Sequence, residues 1–148
     1  MEIRELGELY LVKKLTGQFT PGHPRVVKGI GDDASVTRQD NSKYLLCTTD
    51  SLVEDTHFSL QYTSPYNLGK KAVSISASDI AAMGGTPMFL FTSIILPPST
   101  SIDFIDLLYK GVKERALEFD VALIGGNTSS SPDKIIINTT ILGEVPKD

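Results

Sequence analysis

The sequence predicts an α/β fold, a four-stranded mixed sheet with two main helices packed on one face and the other face open. Three observations carry this. Residues 65–83 and 101–119 repeat apolar side chains at helical spacing. Between them Met88–Leu96 is a continuous apolar run rich in Phe and Ile, as in a central strand, closed by Pro97-Pro98. The segments 43–49 and 134–145 supply further strands on either side, in an overall order αββαβαββ.

The chain has 148 residues, 41% hydrophobic and 22% charged, which suits one folded unit with a real core. A net charge of −4 argues against binding along a nucleic-acid backbone, which asks for a basic face. No apolar run approaches the roughly 20 residues that span a bilayer, so the expectation is a cytoplasmic protein that meets neither nucleic acid nor membrane. Cys47 is the sole cysteine and sits in an apolar run, so it is read as core, with no internal disulfide.

Taken in order, Ile3, Leu6, Leu9, Tyr10 and Leu15 predict an amphipathic helix over 2–16, stopped by Gly17. Residues 17–28 read as a loop, and 43–49 and 56–62 as strands. Ser64 caps the next helix with Pro65 in its first turn, and Gly84-Gly85 ends it. After the helix over 101–119, residues 121–124 read as a strand and Gly125-Gly126-Asn127-Thr128 as a turn. One apolar face of such a sheet is left uncovered, which favours pairing with a second copy of the chain.

The chemistry concentrates between Lys28 and Phe58. Asp32 and Asp33 adjoin on a glycine turn, and Asp50 ends a strand behind Thr48 and Thr49. Two full charges ~4 Å apart cost about 4 kcal/mol at an effective dielectric of ~20. Carboxylates kept that close call for a cation, and oxygen-only ligands suit magnesium or calcium. Asp79 is the only charge between Ala72 and Thr86, on a helix apolar almost all round. Such a carboxylate must be protonated, paired or bound to metal.

Six blocks then stand in a recognisable order: Gly29-Ile30-Gly31-Asp32-Asp33-Ala34, Thr48-Thr49-Asp50-Ser51-Leu52-Val53-Glu54, His57-Phe58, Lys71-Ala72-Val73, Ser78-Asp79-Ile80-Ala81-Ala82-Met83-Gly84 and Gly125-Gly126-Asn127-Thr128. In order and spacing the chain resembles the thiamine-monophosphate kinases of the aminoimidazole ribonucleotide synthetase superfamily. The resemblance covers nearly the whole chain but only the N-terminal half of the family's usual length. It implies that residues 1–148 are a single N-terminal ATP- and magnesium-binding domain, inactive by itself, without the family's C-terminal domain. It also implies the reaction of thiamine phosphate with ATP to give thiamine diphosphate and ADP, with several Mg2+ ions, and a homodimer.

Residue by residue, the resemblance puts Asp32, Asp33, Thr48, Thr49, Asp50, Asp79 and Asn127 at metal positions. Asp33, Thr48, Tyr109, Gly126 and Asn127 fall at nucleotide positions, and His57 at a substrate-contacting position. No catalytic acid or base is implied. Two departures stand out. Asn127 offers a neutral carbonyl where the family has Asp, and Asp55-Thr56 replaces Gly-Val before His57.

These residues agree with the reaction class. Phosphoryl transfer asks for alignment and charge cancellation, with little covalent work by the protein. No P-loop motif is present, so cations held by carboxylates must neutralise the triphosphate. The acceptor is an ionised phosphate and needs no general base. Two alternatives remain at this point: another ATP-dependent synthetase of the superfamily, or a non-catalytic dimerisation module. A selenophosphate enzyme is disfavoured, because no cysteine precedes Cys47.

Overall fold

A computed structural model describes residues 7–19 and 22–147. The elements in chain order are α1 (Glu8–Thr16), β1 (Val26–Lys28), β2 (Ser35–Arg38), β3 (Lys43–Val53), α2 (Pro65–Ala82), β4 (Thr86–Leu96), α3 (Ile102–Glu118), β5 (Ala122–Ser130) and β6 (Ile136–Pro146). They build one mixed sheet in the order β1-β2-β3-β6-β4-β5. The sheet therefore has six strands and not four. The short β1 falls inside the 17–28 segment that the sequence reads as loop, β2 precedes the first expected strand at 43–49, and the two hold the acidic Gly29–Asp33 turn between them.

Two further expectations are corrected. Residues 56–62 form turns, because β3 runs on to Val53 and the chain reverses at Asp55, which has a φ of 62°. Gly125-Gly126-Asn127-Thr128 lies inside β5 and makes no turn. A Cβ on Gly126 would fall 1.9 Å from the Thr92 carbonyl oxygen, so these glycines let β5 press against β4. The first helix covers Glu8–Thr16, and residues 2–6 of the expected helix lie outside the described residues.

The two main helices form as their caps dictate. Ser64 Oγ accepts from Asn67 N–H and Ser101 Oγ from Phe104 N–H, each at 3.2 Å. The β4–α3–β5 crossover makes β4 and β5 parallel, and β6 inserts between β3 and β4, antiparallel to both.

Alternation along the strands decides which side chains meet the helices. Leu46, Leu52, Leu90, Ile94, Ile137 and Ile141 are buried against α2 and α3, each burial contributing about 1.5–3 kcal/mol. The opposite face carries Phe91, Ile95 and Leu142 half-buried and Phe89 40% exposed. No helix among the described residues is long and apolar enough to cross a membrane.

Helices α2 and α3 touch backbone to backbone. A Cβ on Gly69 would sit 2.0 Å from Leu108 O, and one on Gly111 would sit 1.9 Å from Tyr66 O. Beside this contact Lys70 bridges to Glu114 at 3.1 Å and Glu118 at 3.0 Å, holding the Lys70 ammonium well above its usual range. Gly69→Ala or Gly111→Ala must push the helices apart. Urea unfolding should show a loss of about 1–3 kcal/mol or more for each; an unchanged midpoint would contradict the close crossing.

Candidate functional site

The acidic residues come together where α2 crosses β3. Thr48 and Asp50, two apart on β3, both face α2. Thr48 Oγ1 donates to Asp79 Oδ2 at 2.9 Å, and Ser76 Oγ donates to Asp50 Oδ2 at 3.0 Å. Asp33 reaches the same corner because β2 begins at Ser35, opposite Cys47, which leaves the following residues of β3 beside the acidic turn.

Asp79 reports the electrostatics of this corner. Burial is the main cause lifting its carboxyl above the usual range; the Thr48 hydrogen bond opposes the lift, and the charges of Asp50 and Asp33 add to it. Among the described residues no ion pair includes Asp33, Asp50 or Asp79. Asp32 differs: it pairs with Lys28 and accepts from Asp33 N–H at 3.0 Å. Among the described residues no three His, Cys, Asp or Glu side chains form a ready-made metal cage. Magnesium commonly binds through one or two carboxylates together with waters and substrate phosphates.

Thr49 alternates to the open face, where its hydroxyl donates to Thr139 O at 3.0 Å and accepts from Thr140 at 3.1 Å. A cleft of about 1020 Å³ joins the Gly29–Ser35 turn to Cys47, Thr48, Thr49 and Thr140, with Lys13 and Phe19 on its far wall. Asp32 and Asp33 line the cleft together with Lys13 and Lys28, so a ligand entering it meets charges of both signs.

A second cleft of about 580 Å³ lies at the opposite edge of the sheet, lined by Thr92, Tyr109, Leu123 and Gly125–Thr128. Tyr109, Gly126 and Asn127 therefore line the same cleft. The Tyr109 hydroxyl lies 3.2 Å from Thr92 Oγ1, and at Gly126 the backbone of β5 lies directly against Thr92, where no side chain fits. Asn127 Nδ2 donates to Ser93 Oγ at 3.5 Å, in a row that continues through Asn138 and Ser51 on the open face. The fold keeps this side chain apart from Asp33, Asp50 and Asp79, with β4 and β6 between β5 and β3.

His57 is exposed on the turn after β3, and its Nδ1 accepts from Val53 N–H at 3.0 Å. That bond leaves Nε2 as the outward donor. The turn is tied to the start of β6, since Glu54 accepts from Ile135 N–H at 3.0 Å and Lys134 pairs with Asp55. Asp55 is thus exposed and engaged by a lysine where it departs from the family pattern.

Residues 31–145 match the family model described as AIR synthase related protein, N-terminal domain. The chain belongs to this family. Among its relatives, the thiamine-monophosphate kinase of Bacillus subtilis (strain 168) is 38% identical over 142 residues, covering 96% of this chain and 43% of that protein. The thiamine-monophosphate kinase of Aquifex aeolicus (strain VF5) is 35% identical over 147 residues, covering 99% and 45%. A solved structure described as AaThiL complexed with AMPPCP and TMP superposes with a TM-score of 0.87 at 33% identity, covering 99% of this chain and 45% of that one. The AIR synthase related chain thus spans less than half the length of the curated relatives it matches.

Sequence reasoning missed Ser76 and Thr139, which hold Asp50 from within the core. The signals were present. Ser76 stands one turn before Asp79, and alternation along β6 puts Thr139 on the same face as Ile137 and Ile141.

The raised carboxyl of Asp79 has a consequence for stability. Its contribution is fully present below the unfolded pKa of 3.8 and is lost as pH rises through the raised folded value, so ionised Asp79 is a net cost at neutral pH. Asp79→Asn keeps a carbonyl for Thr48 and removes the charge. Metal-free thermal melts at pH 7 should show a melting temperature at or above that of the original chain, with the difference closing below about pH 4. A lower melting temperature at pH 7 would contradict the electrostatic reading of this corner.

Proposed function

We propose that this chain is the nucleotide- and magnesium-binding N-terminal domain of a cytoplasmic kinase that converts thiamine phosphate and ATP to thiamine diphosphate and ADP. The observation that carries the reading is the meeting of Asp33, Asp50 and Asp79 in one corner, none of them in an ion pair among the described residues. The kinases named above, similar over nearly the whole chain, support the choice of substrate.

In this reading Asp33, Asp50 and Asp79 hold Mg2+, with Asp32, Thr48 and Thr49 lining the approach. Bound there, the ions would supply the positive charge that offsets the phosphates. The chain's own work is alignment. Thr48 and Ser76 each hold one oxygen of a carboxylate by hydrogen bonds. Tyr109, Gly126 and Asn127 line the second cleft and take another part of the nucleotide there; the neutral Asn127 amide brings no charge and turns toward Ser93 on the open face. His57 offers its Nε2–H to an anionic oxygen of the acceptor. The γ-phosphoryl group passes to a phosphate oxygen of thiamine phosphate, so one P–O bond forms as the bond to ADP breaks, and no side chain has to take a proton.

The open face, with Phe89, Phe91, Ile95 and Leu142, is the proposed surface for pairing with a second copy. Calorimetry with AMPPCP tests the nucleotide reading. Affinity should fall about tenfold or more when magnesium is withheld, and by a similar factor for Asp50→Ala or Asp79→Ala. Equal affinity with and without magnesium, and in both variants, would favour the non-catalytic dimerisation module.

A further inference from the structure

A band of polar side chains divides the core. On the helix side of the sheet Asp50 stands opposite Thr139, and Thr139 opposite Thr92. Leu46, Leu90 and Ile141 belong to the apolar cluster on one side of this row, and Leu52, Ile94 and Ile137 to the cluster on the other. Ser76 enters the row from α2, and both hydroxyl-bearing residues are closed to solvent, Ser76 at 0% and Thr139 at 1% exposure. Ser76 Oγ lies 3.0 Å from Asp50 Oδ2 and 2.6 Å from Thr139 Oγ1.

A serine hydroxyl has a single proton. With an ionised Asp50 that proton goes to the carboxylate, so the Ser76–Thr139 bond must use the proton of Thr139. The chain of donors therefore runs one way, from Thr139 to Ser76 to Asp50, and ends on the charge. Hydroxyls buried between two apolar clusters are costly unless satisfied, and Ala and Val would fill the same positions without that cost. Only Oδ2 of Asp50 accepts a hydrogen bond among the described residues, so its second oxygen remains available to a ligand.

We propose that Ser76 and Thr139 are positioning residues, a buried hydroxyl relay that fixes the Asp50 carboxylate for cation binding. This rests on reading Asp50 as a metal-holding carboxylate, and the experiment separates the two ideas. Mn2+ alone serves as the probe, with free ion counted by electron paramagnetic resonance. Ser76→Ala should weaken Mn2+ binding about tenfold, since it removes the direct donor to a charge, and Thr139→Val about threefold. Melting temperatures should stay within a few degrees, and Thr139→Ser, which keeps the hydroxyl, should bind within about twofold of the original chain.

If Ser76→Ala and Thr139→Val bind Mn2+ as the original does while Asp50→Asn loses it, the relay is wrong and the metal reading stands. If Asp50→Asn also binds normally, both fall. Equal weakening by Thr139→Val and Thr139→Ser would assign the effect to packing and overturn the relay. Should Ser76→Ala fail to fold, the Thr139 pair decides.

Discussion

Everything at the proposed site depends on α2 lying hard against β3. That contact brings the Asp79 and Asp50 carboxylates into one corner and gives each a single hydroxyl donor, from Thr48 and from Ser76. The helix can lie so close because its inner side is built from small residues, Ala72, Ser76 and Ala77 among them. Its other flank meets α3 through Gly69 and Gly111, where no side chain fits. The apolar clusters fix the helix in place, and the acidic corner accepts the electrostatic cost of that placement. A site that repels itself when empty is well suited to hold a cation.

The fold also keeps two clefts apart on one sheet. The cleft of the Gly29–Ser35 turn sits beside β2 and β3, whereas the Tyr109–Asn127 cleft sits at β5, at the far edge of the order β1-β2-β3-β6-β4-β5. An extended ligand such as a nucleotide with its phosphates is the kind of molecule that can use separated contacts. The transverse row Asp50–Thr139–Thr92, with Gly126 in register beside Thr92, links these regions through consecutive strands.

Much of this was legible in the sequence. Ser64-Pro65 marked the start of α2, apolar spacing over 101–119 marked α3, and the apolar run closed by Pro97-Pro98 marked β4. The acidic residues were legible as a group, because charges isolated in apolar or glycine-rich surroundings need a partner. What escaped depends on tertiary contact. The strands β1 and β2 are three and four residues long and gain their pairing only from each other and from β3. Gly125-Gly126 has turn chemistry, yet close approach to β4 draws it into a strand. Residues 56–62 looked like a strand, but Glu54 and Asp55 fasten that segment as a turn against β6. Ser76 and Thr139 read as ordinary small residues until their partners across the core are known.

The most direct measurement of whether Asp33, Asp50 and Asp79 act on one ion is paramagnetic line broadening of the backbone amides by Mn2+. With the shared corner, substoichiometric Mn2+ erases signals from residues around 33, 48–50 and 76–79 together and spares exposed acids such as Asp103 and Asp106. Broadening that leaves this corner untouched, or that appears around Asp33 without residues 76–79, would contradict the shared cation.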